Sequence, residues 1–132
     1  MNAQEIKKAV KVINEASGKL SYKLDNIKWS KLYTDYLKEN IQEEKNRDRM
    51  RPDSISRPLT ITEAGKLFAV QQIVNYSLGE KAPDVAGYTY MRKSVFTAYS
   101  LVAQYKKEIG EALEGFDLDY IKSLDYAEIM KV

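Results

Sequence analysis

Apolar residues recur at helical spacing in the first stretch of the chain. They predict a helix over residues 3–17, with Asn2 as its cap and Glu5 at the capping-box position. Ser17 and Gly18 are expected to end it. The residues that share one side of this helix are Ile6, Ala9, Val10, Ile13 and Ala16.

Residues 19–27 alternate apolar and polar side chains, as a β-strand does. No partner strand is evident elsewhere, so we interpret them as a connector or a helical extension. A second helix is predicted over residues 30–49. Its apolar positions stop at Ile41, and the charged remainder is expected to project into solvent or onto a partner. The apolar positions are Trp29, Leu32, Tyr33, Tyr36, Leu37 and Ile41.

Residues 50–61 contain two Arg-Pro steps, and a residue before proline avoids the helical region. Residues 50–61 are therefore predicted to form a hinge. Beyond it, a third helix over residues 62–78 is capped by Thr60 or Thr62 and closed by Gly79. Its apolar side chains point in nearly all directions, which is typical of a buried helix.

A loop is expected over residues 79–88, then a long fourth helix over 89–113 closed by Gly115, then a short helix or helical pair over 117–130. The pattern therefore predicts an all-α fold, with an N-terminal arm of two helices followed by a compact helical bundle. We expect two units, a basic arm and hinge at residues 1–58 and a bundle at 59–132.

The chain contains no Cys and no His. Disulfides, structural zinc and histidine general bases are thereby excluded, and no phosphate-binding loop or nucleophile elbow is present. We therefore expect no enzymatic activity, cofactor or metal. No apolar run reaches the 18 residues that a membrane span needs, and the N-terminus lacks a signal peptide's apolar region. We expect the chain to be intracellular when it is made.

Charge is divided unevenly along the chain. Residues 1–58 hold 13 Lys+Arg and 9 Asp+Glu, a net of +4, while residues 59–132 hold 8 and 10, a net of −2. Four of the five arginines lie within eleven residues, where their planar guanidinium groups could grip phosphates without reading bases. The alternative is a solvated segment with intrahelical ion pairs. These arginines are Arg47, Arg49, Arg51 and Arg57.

Lys7, Lys8 and Lys11 fall on the side of the first helix opposite its apolar stripe. They could face a partner, although any surface helix has this pattern, and a basic amphipathic helix can also lie on a membrane surface. With the arginines and three further lysines they form the predicted nucleic-acid-binding set. Its members are Lys7, Lys8, Lys11, Lys28, Lys31, Lys45, Arg47, Arg49, Arg51 and Arg57.

Three other features have simpler interpretations. The tyrosines Tyr33, Tyr36, Tyr99 and Tyr105 fit core stripes better than base-stacking platforms. Residues 60–79 suggest a helix-turn-helix, but no turn residue divides them and Asn75 falls where that motif needs an apolar side chain. The carboxylates are better explained as helix caps than as a site; they are Asp117, Asp119 and Asp125.

The order of elements resembles the coat proteins of filamentous viruses of hyperthermophilic archaea, the rudivirus and lipothrixvirus group. The local likeness covers about fifty residues, with an apolar helix ending at Leu78 and Gly79, a joint that ends at Pro83, and a long helix that closes at Gly115. The middle of that long helix is Lys93-Ser-Val-Phe-Thr-Ala-Tyr99.

The resemblance implies a structural protein whose N-terminal arms wrap double-stranded DNA within a helical virion, paired with itself or a paralogous coat protein, in some cases under a lipid envelope. The C-terminal bundles would form the outer wall. An arm of only +4 implies partial neutralisation of DNA charge by each subunit.

Two alternatives remain open on the sequence. A protein-interaction module, an adaptor or inhibitor without nucleic-acid binding, would remain a small oligomer and ignore DNA. A domain with a carboxylate-based active site would need a concave pocket that the sequence does not indicate.

Overall fold

The computed structural model describes residues 2–49, 61–79 and 93–125, and it describes the side chains of 2–39, 63–79 and 93–125. Every regular element in these ranges is an α-helix, in agreement with the predicted all-α class. The helices are α1 (Ala3–Leu24), α2 (Asn26–Arg49), α3 (Ile61–Ser77), α4 (Lys93–Gln104), α5 (Lys106–Ala112) and α6 (Leu118–Ser123).

Helix α1 begins as predicted and ends later than predicted. The Asn2 side chain accepts a hydrogen bond from the Glu5 amide at 2.8 Å, which satisfies one of the amides left open by the first turn. The helix then continues through Gly18 to Leu24, since Leu20 and Leu24 extend the buried stripe. Their burial outweighs the cost of about 1 kcal/mol that glycine adds inside a helix.

A sharp corner at Asp25 joins α1 to α2. Asp25 has a positive φ of 80°, and its carboxylate accepts a hydrogen bond from the Ile27 amide at 2.9 Å, a local bond that helps aspartate adopt this conformation. Helix α2 therefore begins at Asn26, earlier than the predicted residue 30. Of the two interpretations of residues 19–27, the helical extension is the one observed.

Helix α3 lies at the centre of the fold and contacts α1, α2, α4, α5 and α6. No side chain from Glu63 to Tyr76 is exposed, which confirms the prediction of a helix buried all round. One continuous helix occupies Ile61–Ser77, in agreement with the rejection of a helix-turn-helix in this segment. The predicted closing residue, Gly79, has a φ of +96°.

Polar side chains help to tie α2 to its neighbouring helices. The buried indole of Trp29 donates to the Ser17 hydroxyl at 2.7 Å, which joins α2 to α1. Glu39 of α2 accepts hydrogen bonds from the amide and hydroxyl of Ser94, so a carboxylate from another helix caps the start of α4. This placement suits the partial positive charge of a helix N-terminus.

The predicted fourth helix is bent where the sequence indicates continuity. Tyr105, with φ −121° and ψ 38°, separates α4 from α5, although its backbone still bonds to Leu101 and Ile109. Because of this bend, α4 packs on α2 and α3 while α5 packs on α1. The apolar side of one straight helix could not face both sets of neighbours. Residues 89–92 of this prediction lie outside the described residues. The predicted closing residue Gly115 has a φ of +86°.

The short helix α6 lies within the predicted segment 117–130, of which the residues after 125 are not described. Asp117 caps α6 by accepting from the Tyr120 amide at 3.0 Å, as expected for a capping carboxylate. Gln71 of α3 holds the other end, donating to the carbonyls of Ile121 at 3.2 Å and Leu124 at 2.5 Å.

The predicted separation of an N-terminal arm from the bundle is not confirmed. Ala9, Ile13 and Leu20 of α1 belong to the same hydrophobic core as Ile109 of α5 and Ile121 of α6. An amphipathic helix must cover its apolar stripe, and in a single chain the nearest apolar surface is the bundle itself. The predicted boundary near residue 58 lies outside the described residues.

Candidate nucleic-acid interface

The outer face of α1 holds two of the predicted DNA-binding lysines side by side. Lys7 and Lys11 are exposed, four residues apart, on the side turned away from buried Ala9 and Ile13. Neither forms an ion pair with a described residue, since the one salt bridge found in the described part of the chain joins Lys23 to Glu111. Among the described residues, no carboxylate thus competes with an external anion for either ammonium group.

Lys8 lies at the edge of this face and contacts the C-terminal half of the chain. Its amino group stands 4.7 Å from the centre of the Tyr120 ring, a cation–π geometry. Burial raises the pKa of the Tyr120 hydroxyl above its ordinary value of 10.0, and the negative charge of Glu5 adds to the rise. Lys8 is exposed, but it is already engaged by an aromatic ring.

The two predicted lysines of α2 occupy different environments. Lys28 donates to the Tyr105 hydroxyl and lies 4.7 Å from the centre of that ring. This hydrogen bond raises the pKa of Lys28 above its ordinary value of 10.5. Lys31 instead lies on the exposed side of α2, away from buried Trp29 and Leu32, and has no ion pair with a described residue.

The structure describes only part of the basic cluster at the end of α2. Lys45, Arg47 and Arg49 lie in the last turns of this helix, and their side chains are outside the described residues. Arg51 and Arg57 are outside them altogether. The predicted arginine clamp therefore stays a prediction.

Two further lysines share these surfaces and were missed by the sequence analysis. Lys38 is exposed on α2 seven residues after Lys31, a spacing that returns to the same helical face and could have identified it. Lys19 is exposed on α1, with its amino group 5.1 Å from the centre of the Phe116 ring. It was missed because α1 was expected to end at Gly18.

The charge of the described chain differs strongly between its two ends. Residues 2–39 hold eight lysines against five acidic residues, a net of +3. Residues 105–125 hold three lysines against six acidic residues, a net of −3. Positive charge in the described chain is thus concentrated in α1 and α2 and negative charge in the segment of α5 and α6, a division that net charge alone conceals.

Neither a metal site nor a membrane-spanning helix is found within the described ranges. No group of three or more Asp or Glu residues there is arranged to hold a metal ion. Likewise, none of the described helices combines the length and apolar character needed to cross a bilayer. The described residues instead present exposed lysines on α1 and α2, of which Lys7, Lys11 and Lys31 have no ion pair with a described residue.

Comparison of the chain with protein-family models, with curated protein sequences and with solved structures finds no significant match.

Proposed function

We propose that this protein binds double-stranded DNA without sequence preference and coats it as a structural protein of a virion. The observation that carries the proposal is the placement of Lys7, Lys11 and Lys31. All three are exposed on the outer faces of α1 and α2, and none has an ion pair with a described residue. Lysines that no described carboxylate neutralises are suited to external phosphates.

The spacing of these lysines fits a phosphate backbone. Lys7 and Lys11 are separated by one helical turn, which is about 6 Å along the helix axis. Duplex DNA carries one negative charge about every 1.7 Å of its axis, so both amino groups can reach phosphates on the same stretch of duplex. Such contacts position a protein on DNA without reading its bases.

The charge division supports a defined orientation on the duplex. With a net of +3 over residues 2–39 and −3 over 105–125, DNA would attract α1 and α2 more strongly than α5 and α6. A coat requires such a preference, because each copy must present the same face to the DNA.

The proposal does not require α1 to leave the bundle. Its apolar stripe is buried against α3 and α5, whereas Lys7 and Lys11 are turned away from the core. DNA contact by a separate wrapping arm, pairing with a second copy or a paralogous coat protein, and an outer lipid envelope are finer parts of the same proposal.

The first experiment measures binding by fluorescence anisotropy, using labelled duplexes of unrelated sequence over a range of salt concentrations. We expect similar affinity for each duplex and a steep fall with salt. The triple variant Lys7→Gln, Lys11→Gln, Lys31→Gln should reduce the slope of log affinity against log salt by roughly one per lysine. Absent or salt-independent binding would contradict the proposal.

The control variant removes two exposed lysines from the segment of α5 and α6, Lys107→Gln and Lys122→Gln, and its change in slope is compared with that of the triple variant per lysine removed. This double variant should leave the slope nearly unchanged. An equal loss in both variants would show that overall charge, and not the α1–α2 surface, governs binding. Electron microscopy with and without linear duplex then tests for coating, which requires DNA-dependent filaments.

A protein-interaction module is the second candidate, and one observation favours it. Tyr22 and Ile27, on either side of the corner at Asp25, are 86% and 76% exposed. Two large apolar side chains at one corner are typical of a protein contact. On this hypothesis the chain ignores DNA and forms a small oligomer, and the double variant Tyr22→Ser, Ile27→Ser reduces its mass in analytical ultracentrifugation.

A further inference from the structure

A groove of about 650 Å³ lies between the C-terminal end of α3, α4, α5 and the start of α6. Its volume falls within the range of about 300–1,000 Å³ typical of small-molecule sites. Most of the described side chains that line it are apolar or aromatic. They include Tyr76, Tyr99, Val102, Leu113 and Leu118.

One cation stands at this groove. Lys106 is the only charged side chain among the described residues that line it, and it has no ion pair with a described residue. The acidic residue Glu111 lies on the opposite side of α5, where it bonds to Lys23 of α1 at 2.9 Å. An otherwise apolar groove is therefore marked by a single positive charge.

Gly110 leaves one wall of the groove open. It lies inside α5, where glycine is the least favourable residue after proline. A Cβ atom added there would meet nothing within 4 Å, so packing does not explain the glycine. Any larger side chain at this position would extend into the groove.

Lys106, Gly110 and Leu113, the residue that caps the C-terminal end of α5, follow one another at intervals of four and three residues and therefore lie along one face of this helix. Along this face the Lys106 ammonium lies at one end, the open space beside Gly110 in the middle and the apolar side chain of Leu113 at the other end. Tyr76 and Tyr99, whose ring centres are 5.4 Å apart in an edge-to-face arrangement, form an aromatic wall.

We propose that this groove binds an amphiphile with an apolar chain and an anionic head, specifically a medium-chain fatty acid. The carboxylate would pair with the Lys106 ammonium, and the chain would lie along Gly110 against Leu113 and the tyrosine rings. This site shares no residue with the proposed DNA surface on α1 and α2, so either proposal can fail without the other.

The test is isothermal titration calorimetry of the full chain with sodium decanoate, decanol and decyltrimethylammonium, each below its aggregation concentration. We expect decanoate to bind most tightly and the cation least. Lys106→Gln should weaken decanoate binding by about ten-fold, the usual effect of losing a charged hydrogen-bond partner, and leave decanol binding unchanged. Lys107→Gln, the adjacent exposed lysine outside the groove, should leave both unchanged.

Gly110→Leu should abolish binding of both decanoate and decanol by filling the groove, whereas Gly18→Leu, at a glycine with equally open surroundings on α1, should not. Circular dichroism checks that each variant folds. If Gly110→Leu does not fold, nuclear Overhauser contacts between decanoate and the Tyr99 ring in the unmodified protein locate the ligand instead. The proposal is overturned if decanoate does not bind, if decyltrimethylammonium binds equally well, or if the two lysine variants behave alike.

Discussion

Helices α1 and α3 contribute to the same core, but they are buried in different ways. Helix α1 covers one stripe, and its opposite side holds exposed lysines and the exposed Gly18. Helix α3 has no exposed side chain from Glu63 to Tyr76 and contacts α1, α2, α4, α5 and α6. The outer helix can therefore vary on its exposed face, whereas nearly every position of the central helix is constrained by a neighbour.

One glycine in each helix shows this difference in burial, when the surroundings of an added Cβ atom are compared. A Cβ atom on Gly18 would meet nothing within 4 Å. On Gly65 it would lie 2.8 Å from the Tyr33 carbonyl oxygen and 2.7 Å from Leu37 Cγ, which is too close for either contact. The same residue type is thus dispensable in α1 and required in α3, because α3 approaches the backbone of α2.

The largest effect is expected from a matched pair of isoleucines, one in α3 and one at the exposed corner. Ile73 is fully buried, so Ile73→Ala should destabilise the fold by about 2–5 kcal/mol through lost burial and a cavity. Ile27→Ala, at a side chain that is 76% exposed, should change stability by less than about 0.5 kcal/mol. Urea denaturation followed by circular dichroism measures both, and equal losses would refute the central position of α3.

The glycine pair should give effects of opposite sign. Relieving the contact with Tyr33 and Leu37 should cost about 1–3 kcal/mol and helix propensity should return about 1 kcal/mol, so Gly65→Ala should destabilise by up to about 2 kcal/mol. Gly18→Ala should stabilise by about 0.5–1 kcal/mol, since it gains propensity without a contact. Thermal melts compare the two, and stabilisation by both variants would show that α3 does not approach α2 so closely.

The smallest effect concerns the ion pair that joins α1 to α5. The hydrogen bond and charge of Lys23 hold the pKa of Glu111 below its ordinary value of 4.5. A carboxyl with a lowered pKa stabilises the fold above 4.5, and this contribution disappears as the pH falls through the folded-state pKa.

Glu111→Gln should therefore lower the denaturation midpoint slightly at neutral pH and low salt, but not at a pH well below 4.5. The effect should be small because both side chains are partly exposed, 36% and 44%. Glu114→Gln, an exposed acid without an ion pair among the described residues, is the control. An undiminished difference between Glu111→Gln and the unmodified protein at acid pH would exclude the ion pair as its cause.

Several features of the fold could be predicted because they depend on neighbours in sequence. The Asn2 cap, the turn at Gly79 and the all-round apolar character of α3 were anticipated, since capping and periodicity act over a few residues. The exposure of Lys7 and Lys11 followed from the same periodicity. Local chemistry sets these features whatever the rest of the chain does.

Other features could not be predicted because their causes lie far along the chain. The continuation of α1 past Gly18 depends on a core that covers Leu20 and Leu24. The start of α4 depends on Glu39, 55 residues before Ser94. The engagement of Lys8 and Lys28 by tyrosine rings likewise depends on α6 and on the bend between α4 and α5.

The sequence by itself therefore determined the helical class, the helix starts that have a local cap, and which side of α1 would be polar. The tertiary structure alone decided that α1 and α2 pack into one core with the later helices, which lysines stay unpaired, and where the groove beside Lys106 opens. The physical reason is the separation along the chain of the residues that interact. Hydrogen bonds within a helical turn are set by adjacent residues, whereas burial and charge pairing depend on segments that only folding brings together.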